Sequence, residues 1–150
     1  MQVQLSRRRF LGAVGAVVAL ASLPLQVLAR ASEAFKSDNV DSVLKHLFGD
    51  LPIEESDAIK LKIPAIAENG AVVPVSVSTS IDGVEAIHVV IDENPNPLSA
   101  SFRLTAASPA DISTRVKMGK SSNVRALVKT ADKVYVTSQE VKVTIGGCGG

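Results

Sequence analysis

Residues 73–91 read Val-Pro-Val-Ser-Val-Ser-Thr-Ser-Ile-Asp-Gly-Val-Glu-Ala-Ile-His-Val-Val-Ile, and this stretch decides the fold class of the chain. Apolar side chains recur at every second position on both sides of Asp82-Gly83, which is the period of a β-strand with one buried face. An Asp-Gly pair favours positive φ and therefore a tight turn. We predict two strands joined by a hairpin at Asp82-Gly83.

The same alternation continues through most of the chain after Pro52. It gives further strands, whose apolar residues are Ile59, Leu61 and Ile63, then Phe102 and Leu104, Val116 and Met118, Val124, Ala126 and Val128, Val134 and Val136, and Val141, Val143 and Ile145. The last two runs form either one strand or two, so the count is seven or eight. Asn69-Gly70 predicts a second tight hairpin. Short antiparallel strands of this kind indicate a mainly β fold, an immunoglobulin-like antiparallel β-sandwich with a core of Val, Ile and Leu.

One N-terminal helix is predicted ahead of the strands. Its apolar stripe, with the spacing of a helix that buries one face, comprises Val40, Val43, Leu44, Leu47 and Phe48. Residues 37–39 offer N-cap oxygens, and Gly49 offers a C-cap. His46 lies in the last turn without a second ligand at helical spacing, so we interpret it as a solvated side chain rather than a metal ligand.

The predicted strand at residues 84–92 carries apolar groups on both faces, because Val90 faces away from Ile87 and Ile91. Two interpretations of its outer face remain open. Either the helix or a partner packs on it, or Val90 is an ordinary surface residue. His88 lies on the same outer face, and no motif pairs it with a nucleophile, so we do not expect it to act as a catalytic base.

The only cysteine stands between two pairs of glycines, Gly146 and Gly147 before it and Gly149 and Gly150 after it. Glycine supplies no side chain for packing and leaves the backbone free, so residues 146–150 are predicted to form a flexible swinging arm. Cys148 can reach roughly 10 Å beyond Ile145. No neighbouring residue offers a base or a fixed donor, so we interpret Cys148 as an attachment site whose cargo other proteins process.

Residues 1–31 have the layout of a secretory signal peptide. Arg7, Arg8 and Arg9 are followed by an apolar stretch at residues 11–23 and by a small-x-small cleavage site at residues 29–31. Arg7 and Arg8 fit the twin-arginine pattern, with Arg9 in its variable position. We therefore predict export by the twin-arginine route, with an ordinary signal or a membrane anchor as the alternatives. The predicted divisions are residues 1–31, a domain at 32–145 and the arm at 146–150.

Removal of the signal changes the charge of the chain. It takes four of the 16 basic residues and none of the 15 acidic ones, which leaves a net charge of −3. The sequence has no basic patch typical of nucleic-acid binding, so we expect no nucleic-acid partner. We also expect no association with the membrane once the signal is cleaved. A single cysteine excludes an internal disulfide.

The sequence contains no phosphate-binding glycine loop, no cluster of metal ligands and no Gly-x-Ser-x-Gly motif. We therefore expect no cofactor and no metal site. Glu54, Glu55 and Asp57 form an acidic run, which we interpret as a solvated loop. Cys148 is the one candidate for covalent chemistry.

The Gly-Gly-Cys-Gly-Gly motif on an exported β-rich domain resembles SoxY, the sulfur-carrier subunit of the periplasmic thiosulfate-oxidising Sox complex. Residues 68–75 and 94–98 also look like that family, and the resemblance extends from residue 35 to residue 150. It implies that the protein is a carrier, not an enzyme. It further implies that sulfur derived from thiosulfate is bound covalently to Cys148.

The resemblance also implies partners. A SoxZ-like subunit would form a heterodimer with this chain and be exported with it. The haem enzyme SoxAX would couple thiosulfate to Cys148, and the hydrolase SoxB would release sulfate. The remaining sulfur would be oxidised further, with the sulfane dehydrogenase SoxCD as the candidate enzyme, or passed on.

Two other functions remain open on the sequence. The chain could be a ubiquitin-like sulfur carrier activated on the carboxylate of Gly150, although such carriers act in the cytosol and the export signal argues against it. It could instead be an exported immunoglobulin-like structural module, in which Cys148 forms an intermolecular disulfide.

Overall fold

The computed structural model of this chain describes residues 32–144. The predicted signal peptide, with Arg7 and Arg8, lies outside the described residues. Ile145 and the predicted arm at residues 146–150, with Cys148, also lie outside them.

A helical stretch at residues 32–36 comes first in the described part of the chain, followed by helix α1 at Val40–Phe48 and nine strands. The strands are β1 (Ile53–Glu55), β2 (Ile59–Lys62), β3 (Ile66–Ala67), β4 (Val73–Thr79), β5 (Ala86–Ile91), β6 (Leu98–Arg103), β7 (Asp111–Val116), β8 (Ser122–Lys129) and β9 (Val134–Val143).

The strands form two sheets that pack face to face. The larger sheet has the order β1-β9-β8-β5-β6, with β3 also paired to β9, and the smaller sheet has the order β2-β4-β7. Alternate residues of both sheets point into one core, as the period of two requires. Its buried members include Val73, Val75, Val77, Ile87, Val89, Ile91, Val124, Ala126 and Val128. The predicted β-sandwich is confirmed.

Neither predicted hairpin forms. Strands β4 and β5, on either side of Asp82-Gly83, belong to different sheets, so the connection crosses from one sheet to the other. Gly83 does adopt the expected positive φ, at 70°, whereas Gly70 does not have a positive φ. Turn chemistry specifies a local change of direction, but it does not specify which strand becomes the neighbour.

The prediction that all strands pair antiparallel is wrong for two strand pairs. The short strands β1 and β3 both pair with β9 in parallel, and neither was predicted. A strand of two or three residues is too short to show a period of two. Glu54 and Glu55, which we interpreted as part of a solvated loop, lie in β1, although both are exposed. The last two apolar runs form the single strand β9.

Helix α1 covers the outer face of the larger sheet. Val43 and Phe48 pack there against Val90, Leu127 and Val134, which are all buried. The apolar outer face of β5 is thus explained by the helix, one of the two interpretations left open by the sequence.

The predicted helix caps are confirmed. The Asn39 side chain accepts a hydrogen bond of 2.8 Å from the Ser42 N–H, and the Gly49 N–H donates to the Lys45 carbonyl at 2.9 Å. Gly49 has a φ of 62°. Within residues 32–144 no helix has the length and apolar character needed to cross a bilayer.

Replacement of Gly83 by Ala tests the crossover between the sheets. No atom outside the neighbouring residues lies within 4 Å of the position of an added Cβ, so the cost comes from the positive φ alone. We expect the free energy of unfolding in urea to fall by about 1 kcal/mol. Gly119→Ala is the matched control, because its position is equally open and its φ is not positive. Equal effects of the two substitutions would contradict this assignment.

Candidate functional site

The predicted attachment site follows strand β9. Val143 is the last residue of that strand, and Thr144 is the last described residue. Cys148 lies four residues beyond Thr144, a distance of roughly 13 Å for an extended chain. The described residues therefore show the base from which the predicted arm extends.

The end of β9 is hydrogen-bonded on both sides. Its pairing with β8 reaches Val141, and its parallel pairing with β3 places Ala67 beside Val143. The Thr144 N–H donates to the Ala67 carbonyl at 3.0 Å. The Val143 N–H donates to the Ser121 hydroxyl at 2.9 Å. Because backbone pairing continues to Thr144, fraying of this strand end would break several hydrogen bonds.

The loop between β3 and β4 packs closely on this strand end. The Met118 N–H donates to the Gly70 carbonyl at 2.7 Å, and the Met118 side chain is buried. A Cβ added at Gly70 would lie 2.4 Å from the Met118 carbonyl oxygen and 2.9 Å from Cγ1 of Val143. Only glycine fits at this position without a shift of the neighbouring backbone.

Asn94 holds the segment on the other side of Met118. Its side-chain amide donates to the Lys117 carbonyl at 2.7 Å and accepts from the Gly119 N–H at 3.2 Å. These two hydrogen bonds fix the backbone before and after Met118. We call the group formed by Gly70, Asn94, Lys117–Gly119 and Ser121 the β9 clamp.

An apolar groove lies beside the same strand end. Ile66 and Val72 are 59% and 51% exposed, and they line the groove together with Pro64 and Pro74. Its volume is about 390 Å³. Exposed apolar surface at this end of the molecule is suited to contact with another protein.

The sulfur oxidation protein SoxY family model matches residues 44–148. The chain belongs to the SoxY family. It is similar to the solved structure of the sulfur carrier protein SoxY from Chlorobium limicola f thiosulfatophilum, with 44% sequence identity and a TM-score of 0.65. That match covers 70% of this chain and 96% of the other. A search of curated proteins gave no significant match.

The SoxY resemblance drawn from the sequence is thereby confirmed, and with it membership of a family of sulfur carriers. The two additional SoxY-like stretches, residues 68–75 and 94–98, supply Gly70 and Asn94 of the β9 clamp. Sequence reasoning missed this clamp. The signal available was that each stretch contains an Asn next to a turn residue, Gly70 in one and Pro95 in the other.

The remaining polar candidates lie elsewhere in this SoxY-family fold. His46 is exposed, and its Nδ1 lies 3.1 Å from the Ser37 hydroxyl oxygen. Glu54, in the acidic run, pairs with Lys133 at 3.0 Å. Within the part of the chain that the structure describes, no three side chains of the His, Cys, Asp or Glu type are grouped as a metal site would require.

His88 is buried between β5 and α1. Its ring meets the Phe48 ring edge-on, with centroids 5.3 Å apart, and its Nδ1 has no hydrogen-bond partner. Burial of the ring, with a smaller contribution from the charge of Lys129, lowers the pKa of His88 to about 4. His88 therefore belongs to the helix–sheet interface, where it is neutral at ordinary pH.

The buried neutral His88 makes folding stability depend on pH. Its pKa is about 6.5 in an unfolded chain but about 4 in the folded one, so acid favours the unfolded chain. The free energy of unfolding that neutral His88 contributes is fully present above pH 6.5, and it is lost as the pH falls from about 6.5 towards about 4. We expect a contribution of roughly 2–3 kcal/mol to this loss between neutral pH and pH 4.5.

Urea unfolding at a series of pH values measures this contribution. His88→Leu should show a shallower loss of stability in acid than the parent protein. The control is His46→Gln, which removes the exposed histidine and should retain the parental slope. If His88→Leu kept the parental slope, the assignment of His88 as the acid-sensitive group would be wrong.

Proposed function

We propose that this SoxY-family protein is a periplasmic sulfur carrier that binds thiosulfate-derived sulfur covalently on Cys148. The observation that carries the proposal is that the family match extends through the whole β-domain and ends at Cys148. The backbone of β9 and the residue after it is hydrogen-bonded as far as Thr144. It can therefore support a short tether that carries the thiol into the active sites of partner enzymes.

The chemistry requires partners with different functions. Loading joins the outer sulfur of thiosulfate to the Cys148 sulfur and releases one proton and two electrons, which a haem enzyme of the SoxAX type accepts. Hydrolysis of the sulfur–sulfonate bond by a SoxB-type enzyme consumes water, releases sulfate and leaves a persulfide on Cys148. The sulfane sulfur is then either oxidised further by a SoxCD-type dehydrogenase or passed on.

The division of labour accounts for the sequence around Cys148. A thiol is only partly ionised near neutral pH unless nearby charges lower its pKa, so a catalytic cysteine needs fixed neighbours. Gly146, Gly147, Gly149 and Gly150 provide none and leave the thiol accessible from all sides. The carrier therefore provides accessibility, and the partner enzymes provide the catalytic groups.

Assembly and export complete the proposal. A SoxZ-like subunit forms a heterodimer with the β-domain, and the complex is exported folded by the twin-arginine route that Arg7 and Arg8 specify. The carrier holds no cofactor other than its covalent sulfur cargo. The mature domain carries a net charge of −3 once residues 1–31 are removed.

Substitution of Cys148 by Ser tests the attachment site. The variant keeps the fold but offers no thiol for loading, so thiosulfate consumption by cells that carry only this variant should fall to background. The matched control is Ser138→Cys in the Cys148→Ser background, which restores a thiol on the exposed surface of β9 but not on the arm. Normal thiosulfate consumption by Cys148→Ser would contradict the proposal and leave the disulfide-linked structural module as the better function.

Substitution of Arg7 and Arg8 by Lys tests the export route. A twin-arginine signal depends on the arginine pair, so the double variant should accumulate inside the cell with its signal peptide attached. Arg9→Lys is the control, since it changes the same kind of residue in the variable position. Immunoblots of periplasmic and cytoplasmic fractions measure the outcome, and normal export of the double variant would indicate an ordinary signal.

A further inference from the structure

We propose that the β9 clamp sets the point and direction from which the arm extends, and that Gly70 and Asn94 are positioning residues for the transfer of sulfur to partner enzymes. This inference rests on the proposed function of Cys148. It gives a role to the two SoxY-like stretches that lie outside the arm.

The clamp forms a continuous series of contacts between segments that are distant in sequence. Asn94 hydrogen-bonds the backbone of Lys117 and Gly119, and Met118 between them hydrogen-bonds Gly70 at 2.7 Å. A side chain at Gly70 would collide with both Met118 and Val143. Gly70 therefore lies between the Met118 backbone and the side chain of Val143, the last residue of β9.

Ser121 adds a second connection to the same strand end. Its hydroxyl accepts from the Val143 N–H at 2.9 Å. The neighbouring Ser122 hydroxyl accepts from the Glu93 N–H at 3.0 Å, next to Asn94. The start of β8 and the residue before it are thus hydrogen-bonded to the Asn94 turn on one side and to the end of β9 on the other. Both connections place the base of the arm relative to the rest of the sandwich.

The shortness of the arm makes the position of its base matter. Four glycine-rich residues have a typical end-to-end span of about 11 Å, close to their extended length of roughly 13 Å. A tether that can barely span the distance to a partner's active site loses most of its effective concentration when its base moves. A misplacement of about 1 Å at the reacting atom can cost on the order of 100-fold in rate.

Gly70→Ala displaces the base of the arm without altering the arm itself. We expect cells carrying this variant to oxidise thiosulfate on the order of 10-fold more slowly. The purified variant should react with a small aromatic disulfide at the parental rate, because that reagent needs only an accessible thiol. Gly83→Ala is the control, since Gly83 lies outside the clamp and the substitution costs stability through its positive φ alone, and both rates should stay parental.

A longer arm distinguishes positioning from a structural defect. Insertion of one glycine between Gly146 and Gly147 adds about 3 Å of reach. If Gly70→Ala displaces the base of the arm, this insertion should restore most of the lost thiosulfate oxidation. A variant that was merely misfolded would not recover. A parental rate for Gly70→Ala, or a lost rate that the insertion does not restore, would overturn the proposal.

Asn94→Ala provides a second comparison if Gly70→Ala does not fold. Its control is Asn96→Ala, two residues away, which also loses a side-chain hydrogen bond, in this case to the Ser37 carbonyl before helix α1. We expect slower thiosulfate oxidation for Asn94→Ala than for Asn96→Ala, with equal rates towards the small disulfide. Equal thiosulfate oxidation by the two variants would overturn the proposal. Failure of the proposed function is a separate outcome, because it would appear as normal oxidation by Cys148→Ser.

Discussion

Strand β9 is paired along both of its edges, and the rest of the structure depends on this pairing. One edge is antiparallel to β8 from Val134 to Val141. The other edge is parallel to β1 at its start and to β3 near its end. On this second edge pairing covers the two ends of the strand, and the pairing with β3 carries ordered backbone as far as the start of the proposed arm. A strand held in this way can therefore support the proposed arm.

The two faces of the larger sheet have different functions in the fold. Its inner face forms the sandwich core with the smaller sheet, while α1 covers Val90, Leu127 and Val134 on its outer face. The helix buries His88 without a hydrogen-bond partner for Nδ1. Burial of an unpaired polar atom costs free energy, and the apolar contacts of Val43 and Phe48 offset that cost. The helix–sheet layer is separate from the β9 clamp.

The sequence predicted the features that depend on local pattern. The period of two located the long strands, and the candidate cap residues, 37–39 and Gly49, located the ends of α1. The Gly-Gly-Cys-Gly-Gly motif, together with the predicted export signal, pointed to the family and to the candidate attachment site. Each of these signals lies within a few neighbouring residues, so it can be read without knowledge of the tertiary structure.

Features that depend on distant contacts were not predictable in the same way. Gly83 adopts the positive φ expected of it, yet β4 and β5 enter different sheets because core packing, rather than the turn, selects their neighbours. The role of Gly70 depends on Met118 and Val143, which approach it only in the folded chain. The clamp could be recognised only once these three segments were placed together.

The covalent cargo is the central claim, and the mass of the mature protein tests it most directly. The protein should be isolated from cells growing on thiosulfate, without reductant, and analysed intact and after proteolysis. We expect added masses equal to one sulfur atom and to one thiosulfate, both on the peptide that contains Cys148 and both removed by reductant. A chain that carried no sulfur on Cys148, or whose Cys148 was found only in a disulfide with another protein, would contradict the claim.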